Sequence, residues 1–172
     1  MSSATSVDVL VVGSGVAGLS TALGLVGARS VLVVDPGPSL GGSTSWAQGG
    51  IAAAVEPGDD PLQHAADTAE AGGRLCDPHA VACLVEEGPL RLAELIAAGA
   101  SFDRRADGRL ATTREGGHHR DRVVHAGGDA TGAEVARVLG VAAERAGIAH
   151  RLGASVTGLL VADGTRRRVV GA

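Results

Sequence analysis

The residues best suited to chemistry form the turn Gly13-x-Gly15-x-x-Gly18, near the start of the chain. An apolar strand predicted over residues 8–12 enters this turn, and a helix predicted over about residues 16–27 leaves it. Gly13 permits a sharp turn, and Gly15 has no Cβ to keep the backbone from a pyrophosphate. Gly18 allows the helix to pack closely on the strand, with its N-terminal N–H groups directed at the phosphates. The turn therefore predicts a dinucleotide site.

The strand that follows the helix supports this prediction. It is predicted over Val31–Asp35, and its terminal carboxylate lies 20 residues after Gly15. A carboxylate there accepts hydrogen bonds from ribose hydroxyls and repels an added 2′-phosphate. The alternative is an ordinary glycine-rich turn, since the chain has 27 glycines. The strand–helix–strand context favours dinucleotide binding, for which the candidate residues are Gly13, Ser14, Gly15, Val16, Ala17, Gly18, Asp35 and Pro36.

Further elements are predicted along the rest of the chain. Asp60 and Pro61 begin a helix that reaches Gly72, and Asp129–Gly132 provides capping residues for a helix ending near Gly147. Residues 101–122 are polar and predicted to be irregular. A strand is predicted over 148–161, and Asp163-Gly164 is predicted to be a hairpin turn before a last strand at 168–170. Two separate helices are also predicted, over 77–87 and 89–98.

Composition limits the class of protein. The 172 residues suffice for one domain with a real core, and aromatic residues make up only 1%, so Ala, Val and Leu must build that core. The net charge of −4 argues against nucleic acid or an anionic membrane as a partner. The first apolar stretch lacks a basic leader and is too short to span a membrane. Cys76 and Cys83 lack metal or redox spacing, which indicates reduced thiols, no metal and a cytoplasmic protein.

Four motifs occur in an order that resembles the L-aspartate oxidase family. They are GSGVAG (13–18), GSTSWAQGGIAAA (42–54), CDPHAV (76–81) and TREGGHHRDRVVHAGGDATG (113–132). Members of that family are FAD enzymes of bacterial NAD biosynthesis, related to the succinate dehydrogenase and fumarate reductase flavoproteins. The resemblance implies an α/β fold: a Rossmann-like FAD-binding domain with a βαβ start of the GR2 type and a parallel sheet.

The resemblance also implies that residues 1–172 form an incomplete N-terminal domain that stops within a β-meander. By this resemblance, the family's capping domain and C-terminal helical domain are expected to lie outside residues 1–172. The family's proton-accepting base and carboxylate-binding residues cannot be matched to this chain, so residues 1–172 alone are expected to be inactive.

The second glycine-rich segment is predicted to contact FAD, whose pyrophosphate is anionic and whose ring gains negative charge on reduction. The alternative is a flexible surface loop, but the single Trp and the apolar run 51–55 indicate a packed segment. Covalently flavinylated relatives have a His where Ser43 aligns, so the resemblance implies noncovalent FAD. The candidate contacts are Ser43, Thr44, Ser45, Trp46, Ala47, Gln48, Gly49 and Gly50.

Glu115 is the candidate substrate residue, because a carboxylate in a tight glycine loop suits the α-ammonium group of an amino acid. The resemblance implies the same role, orienting L-aspartate. The alternative is a solvated charge paired with Arg114, which would contribute little.

Three histidines lie close to Glu115 in the sequence. The spacing of His118, His119 and His125 does not indicate a metal site. His125 is equally consistent with a hydrogen bond near the substrate and with simple packing. Asp121 interrupts the basic run expected after EGGH, which weakens the positive potential expected beside a dicarboxylate.

The implied activity is FAD-dependent oxidation of L-aspartate to iminoaspartate in the quinolinate branch of NAD biosynthesis. Oxygen or fumarate would accept the electrons, and quinolinate synthase is a possible partner. Two alternatives stay open: a succinate- or fumarate-type oxidoreductase, which Ser43 and Glu115 disfavour, and a noncatalytic FAD-binding fragment.

Overall fold

A computed structural model describes residues 5–164 and 166–172. The chain divides into two compact units, the first comprising residues 1–45 and 136–172 and the second residues 46–135. The elements of the first unit are β1 (Val9–Val12), α1 (Val16–Leu25), β2 (Val31–Asp35), most of α4 (Thr131–Arg145), β6 (Ala149–Leu152), β7 (Leu160–Ala162) and β8 (Arg168–Gly171). The elements of the second unit are β3 (Ile51–Ala52), α2 (Pro61–Ala71), α3 (Pro78–Ala97), β4 (Thr112–Thr113) and β5 (Val123–Val124).

The first unit contains a parallel sheet in the order β1-β2-β6. Val9 of β1 pairs with Val31 of β2, and Leu32 of β2 pairs with Ala149 of β6. The small apolar side chains predicted for the core are buried here, as at Val33 on β2 and Ala22 on α1. The predicted α/β fold with a parallel βαβ start is confirmed, and α1 ends two residues earlier than predicted.

The second unit contains a short antiparallel sheet in the order β3-β5-β4. Val124 of the central strand is fully buried and pairs with Ile51 on one side and Thr112 on the other. The sequence prediction missed this sheet, because two-residue strands carry too little alternation to be recognised. The loop between β4 and β5 carries Glu115, His118, His119 and Asp121.

The helices of the second unit confirm one prediction and correct another. Asp60 caps α2, with its side chain accepting a hydrogen bond from the Gln63 N–H. The two helices predicted over 77–87 and 89–98 are one helix, α3, which continues through Pro89. Val85 and Leu92, two turns apart, are both buried, and an unbroken helix keeps them on one face. That burial offsets the backbone hydrogen bond that Pro89 cannot make.

The C-terminal part differs from the predicted strand over 148–161. Regular strand structure occurs only in β6 and β7, and the residues between them are irregular. An antiparallel pair of β7 and β8 is present, as the hairpin prediction required. The loop that joins them contains Asp163 and Gly164 but is longer than a two-residue turn, and its residue 165 lies outside the described residues.

Candidate functional site

The turn between β1 and α1 has the close packing that its glycines predict. Gly13 adopts a φ of +94°, and its N–H donates to the Val34 carbonyl at 2.8 Å. A Cβ on Gly18 would overlap the Gly13 carbonyl oxygen and lie 3.3 Å from the Val11 side chain. The first turn of α1 therefore lies directly against the strand, and only glycine fits at position 18.

Asp35 holds this turn from the end of β2. Its Oδ2 accepts hydrogen bonds from both the N–H and the hydroxyl of Ser14, each at 2.7 Å, and its Oδ1 accepts one from the Gly37 N–H at 2.7 Å. Burial acts to raise the pKa of Asp35, but the hydrogen bonds from Ser14 and Gly37 outweigh it, so the pKa lies below the ordinary value. Asp35 is therefore an ionised, buried carboxylate.

The hydrogen-bonding capacity of Asp35 bears on its predicted role. An ionised carboxylate has about four acceptor positions, and the protein occupies three of them. The remaining position, on Oδ1, can accept one ribose hydroxyl. The ribose contact stays a prediction, while the hydrogen bonds to Ser14 and Gly37 show a structural role in the turn that the sequence pattern did not predict.

The N-terminus of α1 fits an anionic group. Among the described residues, the N–H groups of Gly15, Ala17 and Gly18 have no hydrogen-bond acceptor, while the Val16 N–H donates to Thr44 Oγ1 at 2.8 Å. Unpaired N–H groups and the helix dipole together favour a phosphate at this position. A Cβ on Gly15 would lie 3.2 Å from Thr44 Oγ1, so a larger residue would crowd this surface. The turn thus fits the pyrophosphate of a dinucleotide.

The predicted flavin segment divides between the two units. Ser43, Thr44 and Ser45 belong to the first unit, in a short 3₁₀ helix that spans Gly42–Trp46. Ala47, Gln48, Gly49 and Gly50 belong to the second unit, where the Ala47 carbonyl accepts a hydrogen bond from the Gly132 N–H at 3.1 Å. Trp46 contradicts the expectation of a packed aromatic ring, since 85% of it is exposed.

Gly50 lies directly against the central strand of the second unit. A Cβ at this position would overlap the Val123 side chain, lie 2.5 Å from the Val124 carbonyl oxygen and lie 3.0 Å from Cε1 of His125. The backbone at Gly50 and the ring of His125 are therefore in close contact, and no side chain fits between them.

Glu115 lies on a glycine turn after β4. The Glu115 carbonyl accepts a hydrogen bond from the His118 N–H at 3.2 Å, and Gly117 has a φ of +83°. The Glu115 side chain is 50% exposed, and its Oε1 lies 3.3 Å from Nε2 of His125. Arg114 does not pair with it among the described residues, which removes the structural basis for the Arg114 alternative.

A buried ion network anchors the loop that carries Glu115. Arg122 is completely buried and donates two hydrogen bonds to Asp59, at 2.9 and 2.7 Å, and one to Asp67 at 2.6 Å. The hydrogen bonds to Asp59 are the largest cause that raises the pKa of Arg122, and the hydrogen bond to Asp67 raises it further. Since Asp67 lies on α2 and Arg122 immediately precedes β5, the network joins the helix to the sheet.

His118 and His119 belong to this network. The backbone N–H of His119 donates to Asp67 at 2.9 Å, and its ring Nδ1 lies 2.6 Å from the same carboxylate. The backbone hydrogen bond from His119 is the main cause that holds the pKa of Asp67 far below its ordinary value. His118 Nδ1 lies 3.3 Å from the Arg122 guanidinium. Both histidines thus have structural partners.

This network could not be predicted from the sequence. Asp59 and Asp67 precede Arg122 by 63 and 55 residues, so no local spacing connects them. The effect of Asp121 on the potential near the substrate stays a prediction. Arg122, the next residue of that run, is buried between two aspartates and so adds no exposed positive charge.

Metal-binding clusters and membrane-spanning helices are two further features of interest. Within residues 5–164 and 166–172, no group of three His, Cys, Asp or Glu side chains is arranged to hold a metal ion. In the same part of the chain, no helix combines the length and apolar character needed to cross a membrane.

The βαβ fold, the glycine turn and the buried Asp35 define a dinucleotide-binding domain. A family model described as FAD binding domain matches residues 8–172. The chain belongs to this family, and its cofactor is FAD.

The chain is similar to several L-aspartate oxidases. It is 58% identical over 138 residues to the enzyme of Streptomyces coelicolor, covering 79% of this chain and 24% of that relative. It is 44% identical over 167 residues to the enzyme of Caulobacter vibrioides, and this match covers 94% of this chain and 32% of that relative. The chain thus spans about a quarter to a third of the length of these relatives.

Two solved structures at about 30% identity share the fold. Mycobacterium smegmatis Sdh1 in complex with UQ1 matches with a TM-score of 0.80 at 31% identity, covering 95% of this chain and 30% of that one. The open conformation of a flavocytochrome c3 fumarate reductase matches with a TM-score of 0.78 at 30% identity. This match covers 91% of the present chain and 28% of the reductase chain.

We predict that Arg122→Met destabilises the second unit by about 3–5 kcal/mol, because it leaves two buried carboxylates without their cation. Urea unfolding of each variant and of the parent protein measures the change in the free energy of unfolding. The matched control is Arg91→Met, since Arg91 also pairs with two acids, Glu87 and Glu94, but is more than half exposed. Equal losses of unfolding free energy in Arg122→Met and Arg91→Met would contradict the prediction, because burial of Arg122 would then add nothing to the cost of removing the cation.

Proposed function

We propose that the chain is the FAD-binding part of an L-aspartate oxidase, which converts L-aspartate to iminoaspartate for NAD biosynthesis. The observation that carries the proposal is Glu115: a half-exposed carboxylate on a glycine turn that no arginine pairs with among the described residues. Such a group can bind the α-ammonium of an amino acid through charge-assisted hydrogen bonds. The identities of 44–58% to L-aspartate oxidases support the same substrate.

The proposed reaction removes two electrons from the substrate. L-Aspartate loses the Cα hydrogen with its electron pair and one proton from nitrogen, and a C=N double bond forms. FAD, when bound, supplies the two-electron acceptor, and the electrons pass on to oxygen or fumarate. In this account Glu115 orients the ammonium group, while the proton acceptor and the groups that bind the substrate carboxylates are not assigned to residues 1–172.

The cofactor contacts form the second part of the proposal. The free N–H groups at the start of α1 bind the pyrophosphate, and Oδ1 of Asp35 accepts one ribose hydroxyl. The segment Ser43–Gly50 contributes hydroxyl, amide and backbone donors. Attachment is noncovalent, because Ser43 stands where the resemblance places the histidine of covalently flavinylated relatives.

A succinate- or fumarate-type oxidoreductase is the second candidate. The matches to Sdh1 and to a fumarate reductase favour it, but at about 30% identity they are more distant than the aspartate oxidases. Succinate has no ammonium group for Glu115 to bind. We further propose a cytoplasmic enzyme whose unstable imine product is used by quinolinate synthase. The following tests use the full-length enzyme, meaning residues 1–172 together with the segments that the longer relatives add.

We predict that denaturing the full-length enzyme releases its yellow flavin. A noncovalent cofactor loses its binding site on unfolding and remains in the supernatant after the polypeptide is precipitated. Absorbance of the supernatant and pellet measures the distribution. Flavin that stays with the precipitated chain would contradict noncovalent attachment.

We predict that Glu115→Gln weakens the use of L-aspartate roughly 10- to 100-fold, because a charge-assisted hydrogen bond is worth about 1.5–3 kcal/mol. Reduction of fumarate, which has no ammonium group, should change little. Steady-state kinetics with both substrates measures the difference, and Glu86→Gln, on the exposed surface of α3, is the matched control. Equal losses with aspartate and fumarate would show that Glu115 acts on the loop or the flavin instead.

A further inference from the structure

His125 lies at a point where three features of the second unit meet. It immediately follows β5, the central strand, beside the backbone of Gly50 and within reach of Thr113 and Glu115. We propose that His125 is a positioning residue that holds the Glu115 carboxylate in the orientation that binds the substrate ammonium. This inference rests on the proposed function, and it adds a residue whose sequence context left its role open.

The contacts of Nε2 give the chemical basis. This atom lies 3.0 Å from Thr113 Oγ1, with which it hydrogen-bonds, and 3.3 Å from Oε1 of Glu115. An ionised carboxylate only accepts hydrogen bonds, so its presence selects a ring that carries hydrogen on Nε2. Thr113 can then accept from the same N–H. The ring therefore presents positive charge density to Glu115.

The backbone also restrains the ring, at the carbon bonded to Nε2. Cε1 of His125 lies so close to Gly50 that a Cβ at that position would be only 3.0 Å away. The His125 carbonyl accepts a hydrogen bond from the Asp103 N–H at 2.8 Å, which fixes the main chain. With the side chain only 18% exposed, the ring has little freedom to turn away from Glu115.

Glu115 itself lacks such restraint. Its side chain is half exposed and extends from a turn containing two glycines, Gly116 and Gly117. Among the described residues, its side-chain partner is Nε2 of His125, at 3.3 Å. Without that partner the carboxylate would sample several rotamers, and fewer of them would face the ammonium group.

The first test is structural and needs no substrate. Crystal structures of the full-length flavoenzyme are compared for the parent, His125→Leu and His125→Gln. We expect the Glu115 carboxylate to be displaced or disordered in His125→Leu and to be held by the side-chain amide in His125→Gln. Thr113→Val is the matched control, because it removes the other hydrogen bond of Nε2 and leaves the Glu115 contact. An unmoved Glu115 in His125→Leu would overturn the proposal.

The second test is a double-mutant cycle in steady-state kinetics. We expect His125→Leu to raise the KM for aspartate roughly 3- to 10-fold, with fumarate reduction and FAD content nearly unchanged, and His125→Gln to restore most of the loss. In a Glu115→Gln background, His125→Leu should raise the KM for aspartate by less than about a further twofold. Full additivity of the two substitutions would overturn the proposal, even if each alone impairs aspartate use.

The outcomes separate this inference from the proposed function. If Glu115→Gln alone leaves aspartate kinetics unchanged, the substrate role of Glu115 is wrong, whatever the variant structures show. If Glu115→Gln is impaired but the carboxylate stays in place in His125→Leu, the substrate role stands and the positioning role of His125 is wrong. If His125→Leu fails to fold, His125→Ala, which also removes the Nε2 contact with Glu115, takes its place in both tests, and an unmoved carboxylate in that variant overturns the proposal.

Discussion

The first unit depends on a buried carboxylate that bonds to backbone and side chain at once. Asp35, at the end of β2, accepts both donors of Ser14 and the N–H of Gly37, so the turn after β1 and the turn after β2 are fastened to one group. The Asp35 carbonyl also accepts from the Ala154 N–H, after β6. An asparagine amide has an NH2 group in place of one of the two carboxylate oxygens, so it could not accept all of these hydrogen bonds. The turn therefore needs an ionised carboxylate at this position.

The second unit uses buried charge in a similar way, with the sign reversed. Arg122 is the cation, and Asp59 and Asp67 surround it with three hydrogen bonds. Desolvating a guanidinium is costly, so its position is determined by its partners rather than by apolar packing. The consequence is an anchored loop on which the Glu115 side chain is half exposed. Rigid support with an exposed functional group is what a binding residue requires.

The sequence predicted the parts of the fold that local patterns encode. Gly13, Gly15 and Gly18 lie within six residues, and each has a local steric reason, so the βαβ start could be predicted. Asp60 and Pro61 likewise identified the start of α2. The continuity of α3 through Pro89 could not be predicted, because it depends on burial of Val85 and Leu92 against other elements. The partners of Arg122 and His125 are also tertiary contacts, and the two-residue strands that bring His125 beside Gly50 carry no detectable period.

Selectivity between FAD and FMN tests the central claim most directly, namely that the glycine turn and Asp35 bind the ADP half of the cofactor. FMN has the same isoalloxazine ring but lacks that half. Calorimetric titration of the deflavinated full-length enzyme should show a Kd for FAD at least roughly 100-fold below that for FMN, as expected for two charge-assisted hydrogen bonds. Equal affinities for FAD and FMN would contradict the account.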